Sequence, residues 1–223
     1  MPARKIVDLR KLLAERFPQE TLPAGSCLTT GVRQLDEVLT GGLTKGAITE
    51  VSSVPPQAGS ATLVAALLEQ ACRERYFIAL IDGRDSFDPE SIGDDAILRH
   101  LLWVRCGKAS EALQAADLLL RDGNFPLVIL DLVLNPALEL RRIPASNWYR
   151  LQRLVEPAPT AFLVLTPQSM IASAQWKLCL TNRWMLPQLD WAAGDLPACL
   201  TMQVQRGQQP NQWRSEPRHV LAS

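Results

Sequence analysis

The sequence predicts an α/β fold: a mostly parallel, twisted sheet with helices on both faces and an antiparallel extension at its C-terminal end. From residue 47 onward, short apolar runs alternate with helical stretches, which is typical of βαβ units with right-handed crossovers. Residues 127–131 (LVILD) are continuously apolar up to their aspartate, as expected of a strand whose two faces are both buried.

The elements of this sheet follow in chain order. Strands are predicted at 47–51, 77–82, 101–106, 127–131 and 161–165, and helices at 61–75, 110–122 and 147–156. Ser110 is the expected N-cap of the second helix, and Gly123 is the residue just beyond its end. Two last strands, 176–186 and 199–206, have no obvious helix between them, and this predicts the antiparallel extension.

The chain divides into three parts. Residues 1–25 form a predicted amphipathic helix and linker, with Ile6, Leu9, Leu13 and Phe17 on one helical face and Pro18 at its end. Such a helix either docks on its own domain or binds a partner. Residues 26–207 are the predicted core domain, and the polar residues 208–223 are a predicted flexible tail.

Composition excludes several classes of protein. Among 223 residues, Lys+Arg and Asp+Glu each number 23, so no net charge steers the chain toward nucleic acid. We expect no membrane association, because neither an 18-residue apolar run nor the apolar block of a signal peptide is present. Five scattered cysteines, with Cys72, Cys106 and Cys179 expected to be buried, and only two histidines indicate a reducing cytoplasm without disulfides or a metal site.

The balanced charge hides an asymmetry. Residues 1–140 hold 14 basic and 19 acidic side chains, whereas residues 141–223 hold 9 basic and 4 acidic ones. The arginine-rich end suits phosphate or carboxylate recognition, or it is simply a solvated surface. Arg206, Trp213 and Arg214 combine positive charge with a stacking face, as single-stranded DNA binders do; alternatively, Trp213 anchors a partner's groove.

The loop at residues 52–62 lies where a phosphate-binding loop would lie, between a strand and a helix. That loop reads GxxxxGK[ST], and its lysine reaches the β and γ phosphates. Gly59 matches the final glycine, but Ser60 stands at the lysine position and Ala61 at the position of the Mg²⁺-binding hydroxyl. The first glycine is absent as well, and two prolines at 55 and 56 remove amide donors.

Three motifs follow one another along the chain: residues 30–51 (TGVRQLDEVLTGGLTKGAITEV), 81–89 (IDGRDSFDP) and 127–131 (LVILD). In their order and spacing they resemble motifs of RecA-type recombinases. The first is similar to the segment preceding the recombinase phosphate loop, the second to the recombinase segment IDAEHALDP and the third to the Walker B strand. The resemblance covers about residues 28–207 and implies the RecA-like, P-loop NTPase-type fold.

Departures from the recombinase pattern predict that the chain is not an enzyme. Arg84 stands where recombinases carry the glutamate that activates the attacking water, and Ser60 and Ala61 weaken the phosphate loop. Phosphoryl transfer depends almost entirely on charge stabilisation, so no ATP or Mg²⁺ cofactor is expected. The alternative is that the chain is a weak ATPase. Its vestigial nucleotide site would then consist of Gly59, Ser60, Thr62 and Asp131, with Thr62 and Asp131 holding Mg²⁺.

Residues 9–18 (LRKLLAERFP), the run at 30–51 and the ending at 200–207 (LTMQVQRG) carry a narrower resemblance. Together they resemble ImuA-type proteins, which are RecA-related and include cell-division-inhibitor relatives of the SulA type. This resemblance implies a non-catalytic accessory role in SOS-induced mutagenesis by error-prone translesion synthesis. The implied partners are recombinase RecA, translesion polymerase components or both, with DNA contact left open. A SulA-type division inhibitor is the alternative.

Overall fold

A computed structural model describes residues 26–53, 59–182 and 193–207 of the chain. The strands are β1 Cys27–Leu28, β2 Leu43–Thr44, β3 Ile48–Ser53, β4 Ile78–Asp82, β5 Leu101–Arg105, β6 Leu127–Asp131, β7 Ala161–Thr166, β8 Trp176–Leu180 and β9 Met202–Gly207. The α-helices are α1 Arg33–Val38, α2 Ser60–Glu74, α3 Asp95–Leu98, α4 Ala109–Asp122, α5 Ala137–Arg141 and α6 Ala145–Val155, and 3₁₀ helices cover Pro89–Ile92 and Ala193–Cys199.

Seven strands form the main sheet in the order β5-β4-β6-β7-β3-β8-β9. Every neighbouring pair is parallel except β8 and β9, which run antiparallel. The predicted parallel sheet with an antiparallel C-terminal extension is therefore confirmed. Strands β1 and β2 form a separate two-stranded antiparallel pair that the sequence did not predict.

Helices cover both faces of the sheet, as predicted. On one face α1 and α2 bury residues such as Leu35 and Leu67 against the sheet. On the other face α4, α5 and α6 bury Leu120, Leu140 and Leu151. The central strands β4, β6 and β7 are buried along almost their whole length, which accounts for their continuous apolar sequences.

The start of α4 corrects one sequence prediction. The helix begins at Ala109 with Lys108 as its N-cap, so Ser110 is not the cap. Carboxylates take over the capping role: Glu139 Oε1 accepts from the Ala109 N–H at 2.7 Å, and a Glu111 oxygen accepts from the Gly107 N–H at 3.1 Å. The predicted end is confirmed, because the helix stops at Asp122 and the next glycine has a φ of +68°.

The cysteines and the chain ends complete the comparison. The five cysteines, all within the described residues, form no disulfide; Cys106 and Cys179 are buried as predicted, but Cys72 is only half-buried. The predicted N-terminal helix and linker at 1–25 and the predicted tail at 208–223 lie outside the described residues. Within the described part of the chain, no helix is both long and apolar enough to cross a membrane.

Candidate nucleotide-binding site

The carboxyl ends of the parallel strands bring the predicted site residues to one edge of the sheet. In open α/β sheets, this edge is where ligands bind. β3 leads toward α2, which begins at Ser60, and β6 ends at Asp131. Because β7 lies between β3 and β6, these two strand ends are separated by two strand spacings, or about 10 Å.

Gly59, Ser60 and Thr62 lie at the start of α2, where the sequence placed them. Gly59 is the N-cap residue and has a φ of +80°, a left-handed conformation that favours glycine. Ser60 and Thr62 are half-buried in the first turn, which carries no acidic side chain. The free amides of this turn favour an anion, but no lysine occupies the position that would supply a cation. Residues 54–58, the rest of the loop, lie outside the described residues.

Asp131 ends β6 and lies directly opposite Asp82 of β4 in the sheet register. One oxygen of the Asp131 carboxylate accepts the Val133 N–H at 2.9 Å. The residue keeps some exposed surface, yet the protein packed around its carboxyl raises its pKa to about 6, and the Asp82 charge contributes in the same direction. This strand-end aspartate thus has a structural contact of its own.

Asp82 organises the loop that follows β4. Its carboxylate accepts the backbone N–H groups of Ser86 and Phe87, each at 2.7 Å, and that of Arg84 at 3.2 Å. The Ser86 hydroxyl and the Trp103 indole N–H are further donors to it, at 3.2 and 3.4 Å. A buried carboxylate with this many donors fixes the loop in one conformation. The sequence places Asp82 in the motif at residues 81–89 but does not reveal that its carboxylate binds the loop after β4.

Arg84, at the position of the recombinase glutamate, is exposed and fastened to the next loop. Its guanidinium donates to the Gly107 carbonyl oxygen at 2.9 Å, joining the loop after β4 to the loop after β5. Beside it, Asp85 and Arg105 form a two-bond ion pair at 2.5 and 2.7 Å. The guanidinium of Arg105 holds the pKa of Asp85 below its usual range.

Glu50 of β3 is fully buried and anchors the connection between β7 and β8. One of its oxygens accepts the Met170 N–H at 2.7 Å and the Ile171 N–H at 3.1 Å. The same carboxylate receives the hydroxyls of Thr166 and Ser169 and lies 3.5 Å from the Lys177 ammonium. The nine-residue connection between Thr166 and Trp176 is thereby held against the sheet.

The predicted DNA or partner contacts are only partly described. Arg206 lies on the edge strand β9, is exposed, and donates to the Ala172 carbonyl oxygen at 3.2 Å. Trp213 and Arg214 lie outside the described residues. A DNA-binding role for these three therefore stays a prediction.

The described part of this edge has few charges free for chemistry. In residues 26–53, 59–182 and 193–207, no group of three or more His, Cys, Asp or Glu residues could hold a metal ion. The carboxylates of Glu50, Asp82 and Asp131 accept backbone N–H groups of neighbouring loops, and that of Asp85 pairs with Arg105. A nucleotide site at the start of α2 stays a prediction.

Comparisons with known proteins point to one relationship. No protein-family model matches the chain. It is 33% identical to Protein RecA of Leifsonia xyli subsp. xyli over 123 residues, which are 53% of this chain and 32% of that protein. It is 31% identical to Protein RecA of Acinetobacter baumannii over 150 residues, or 64% of this chain and 42% of the relative. With Protein RecA of Clavibacter michiganensis subsp. michiganensis the identity is 34% over 123 residues, again 53% of this chain and 32% of that protein.

The chain thus spans between about a third and two fifths of the length of these relatives. The observed sheet is consistent with a RecA-like fold, with helices on both faces and an antiparallel pair at its C-terminal end. Partial homology at this level supports a place for the chain in the RecA-like superfamily.

Proposed function

We propose that this chain is a non-catalytic RecA-like accessory protein of the SOS response, acting in error-prone translesion synthesis in the cytoplasm. It works through contacts with RecA, with translesion polymerase components or with both, and single-stranded DNA is a further candidate partner. It needs no bound cofactor. The proposal combines homology to RecA with the loss of the charged groups that ATP hydrolysis requires.

One observation carries the proposal: Arg84 replaces the recombinase glutamate and is fastened to the Gly107 carbonyl oxygen. A guanidinium stays protonated at all ordinary pH values, so it cannot accept a proton from an attacking water. At the start of α2, Ser60 also leaves the phosphate loop without its cation. Two independent parts of the phosphoryl-transfer machinery are therefore missing together.

The remaining polar groups support the same conclusion. Asp131 is the one residue of the metal-handling set that is retained, and its carboxylate already accepts the Val133 N–H. Burial raises its pKa to about 6, so the carboxyl is still mostly ionised at neutral pH, and its contact with the Val133 N–H is what occupies it. A RecA-like fold that does not hydrolyse ATP still has surfaces that can bind other proteins, and an accessory protein acts through such surfaces.

ATP hydrolysis by the purified chain tests the catalytic half of the proposal. Phosphate release is measured with and without single-stranded DNA, with RecA as the positive control and the Asp131→Asn variant alongside. We expect background release from both forms of the chain. Turnover above background that disappears in Asp131→Asn would show a working nucleotide site and overturn this half.

Affinity capture from DNA-damaged cells, followed by mass spectrometry, tests the partners. We expect RecA or translesion polymerase components to be enriched over capture from undamaged cells and over beads without the chain. Absence of both classes from a capture in which the chain is abundant contradicts the proposal. A division block on overexpression, with no such partners, would instead favour a SulA-type inhibitor.

A further inference from the structure

A groove of about 650 Å³ runs between α4 and α6, on the face of the sheet opposite α2. Leu113 and Leu151 form its buried floor, and Ile143 is half-buried beside them. Leu118 lies at the lip with 68% of its surface exposed. An apolar groove with an exposed leucine at its edge is the kind of surface that accepts an amphipathic helix.

An ion pair joins the two helices that flank the groove. The Asp117 carboxylate of α4 forms ion pairs with Arg150 of α6 and with Arg121 of its own helix, each at 2.9 Å. These two guanidinium groups lower the pKa of Asp117, so the tie between the helices persists at neutral pH. At the other end, the Glu139 carboxylate accepts the Ala109 N–H at 2.7 Å. These contacts connect α4 with α6 and with α5 on the two sides of the groove.

We infer that residues 1–17 of the same chain occupy this groove, with Ile6, Leu9, Leu13 and Phe17 facing its floor. These residues lie outside the described part, and the inference rests on their sequence and on where the described chain begins. Spacings of three and four residues place the four apolar side chains on one helical face. The inference does not depend on the proposed function.

The described chain begins close to the end of α6. The Ser26 carbonyl oxygen accepts the Lys45 N–H at 2.9 Å. The next residue, Gly46, approaches the Glu156 carbonyl oxygen so closely that an added Cβ would lie 2.9 Å from it. Ser26 therefore lies near the end of α6, because Ser26 and Glu156 contact two neighbouring residues of the same segment.

The linker is long enough to reach the groove from this point. From Glu156 back to Leu151 along α6 is about 8 Å at 1.5 Å per residue. Residues 18–25 span at most about 26 Å when extended. The C-terminal end of a helix at residues 6–17 therefore reaches the groove within one chain, without a second copy.

The groove takes most of the segment's apolar face. α4 lines it from Ser110 to Leu118, over about 12 Å, and Ile6 and Leu13 lie roughly 11 Å apart on a helix. The fourth apolar residue, Phe17, then lies one turn further on, at the end of the groove.

The charged residues of the lining balance one another. Asp117 and Glu139 stand against Arg142 and Arg150, so the match between segment and groove is one of apolar surface and not of net charge.

Photo-crosslinking of the full chain tests the inference without disturbing the fold. p-Benzoylphenylalanine replaces Leu13 in one variant and Lys11, on the opposite helical face, in the matched control. After irradiation, crosslinked peptides are identified by mass spectrometry, and denaturing gels separate single chains from dimers. We expect Leu13 crosslinks to residues 110–118 or 142–151 in single chains, and loss of these products in the Lys11 control.

Hydrogen exchange supplies a second readout. Leu13→Glu should speed amide exchange in the part of α4 that lines the groove, and Lys11→Glu should leave it unchanged. Crosslinks found only in dimers would place the segment of a second copy in the groove and overturn the inference. Crosslinks from position 13 to other parts of the chain, or none at all, would also overturn it.

Discussion

Replacing Glu50 by glutamine should destabilise the protein, because a buried carboxylate loses part of its set of donors. Glu50 is fully buried. One of its oxygens accepts the backbone N–H groups of Met170 and Ile171, and the other faces the Ser169 hydroxyl and the Lys177 ammonium. In Glu50→Gln the amide oxygen can keep the first pair of bonds, but the amide NH₂ then points at the hydroxyl and the ammonium.

The magnitude follows from these contacts. Each hydrogen bond to a charged group contributes about 1.5–3 kcal/mol, and removing one partner of a buried ion pair costs about 3–5 kcal/mol. Because Lys177 keeps some exposed surface and can turn toward water, we expect a loss of about 3 kcal/mol in the free energy of unfolding. For a chain of this size that is roughly 6–12 °C in melting temperature.

Urea denaturation followed by circular dichroism measures the change, and Glu90→Gln, at an exposed position, is the control. Amide exchange should also accelerate at Met170 and Ile171, because their N–H groups bind Glu50. A loss below about 1 kcal/mol, or exchange unchanged at both amides, would refute the assignment of Glu50 as the anchor of this connection.

Three further predictions concern the same edge of the sheet. Asp131→Asn should stabilise the protein by about 1–3 kcal/mol at pH 8, because the raised pKa means that ionisation costs the folded state free energy. This gain should shrink as the pH falls below about 6 and be absent at about pH 3, where the carboxyl is protonated in both states; urea titrations at pH 8 and at about pH 3 measure it. Gly83→Ala should lower the free energy of unfolding by about 1–3 kcal/mol, since its Cβ would lie 2.5 Å from the Asn135 Oδ1 atom. Gly107→Ala has room for the added Cβ and should be nearly neutral. Thermal unfolding measures both variants. Arg84→Glu should restore no ATP turnover in a phosphate-release assay, because the phosphate loop still lacks its lysine.

The sheet could be predicted because its signal is local. A continuous apolar run, as at residues 127–131, marks a buried strand without any knowledge of its neighbours. Ends were harder to place, because contacts from distant residues decide them. β8 stops at Leu180 rather than continuing, and Asn182 then binds the Cys199 carbonyl oxygen and the Thr201 N–H. The two-residue strands β1 and β2 are too short for any periodic pattern to show.

The candidate site could be predicted only in part. The resemblance located Gly59, Ser60 and Asp131 at the correct edge of the sheet, since a motif followed by a helix or ending a strand fixes that position. The anchoring role of Glu50 could not be predicted, because its donors lie 116 to 121 residues further along the chain. The sequence does show that Glu50 is a lone carboxylate inside an apolar strand. Because such a group is buried only with hydrogen-bond or charge partners, this indicates that Glu50 has partners but not which ones.

The proposed loss of catalysis would go together with the fixed conformation of the loops at this edge. A catalytic loop must keep charged groups free to meet a transition state and must often move to do so. Here the carboxylates of Asp82 and Glu50 are occupied by the backbone of adjacent loops, and Arg84 ties two loops together. Glu50 and Asp82 lie in motifs that resemble those of the recombinases, so the departure among these three residues is Arg84. A preformed surface loses little entropy on docking, which would suit the proposed action by contact.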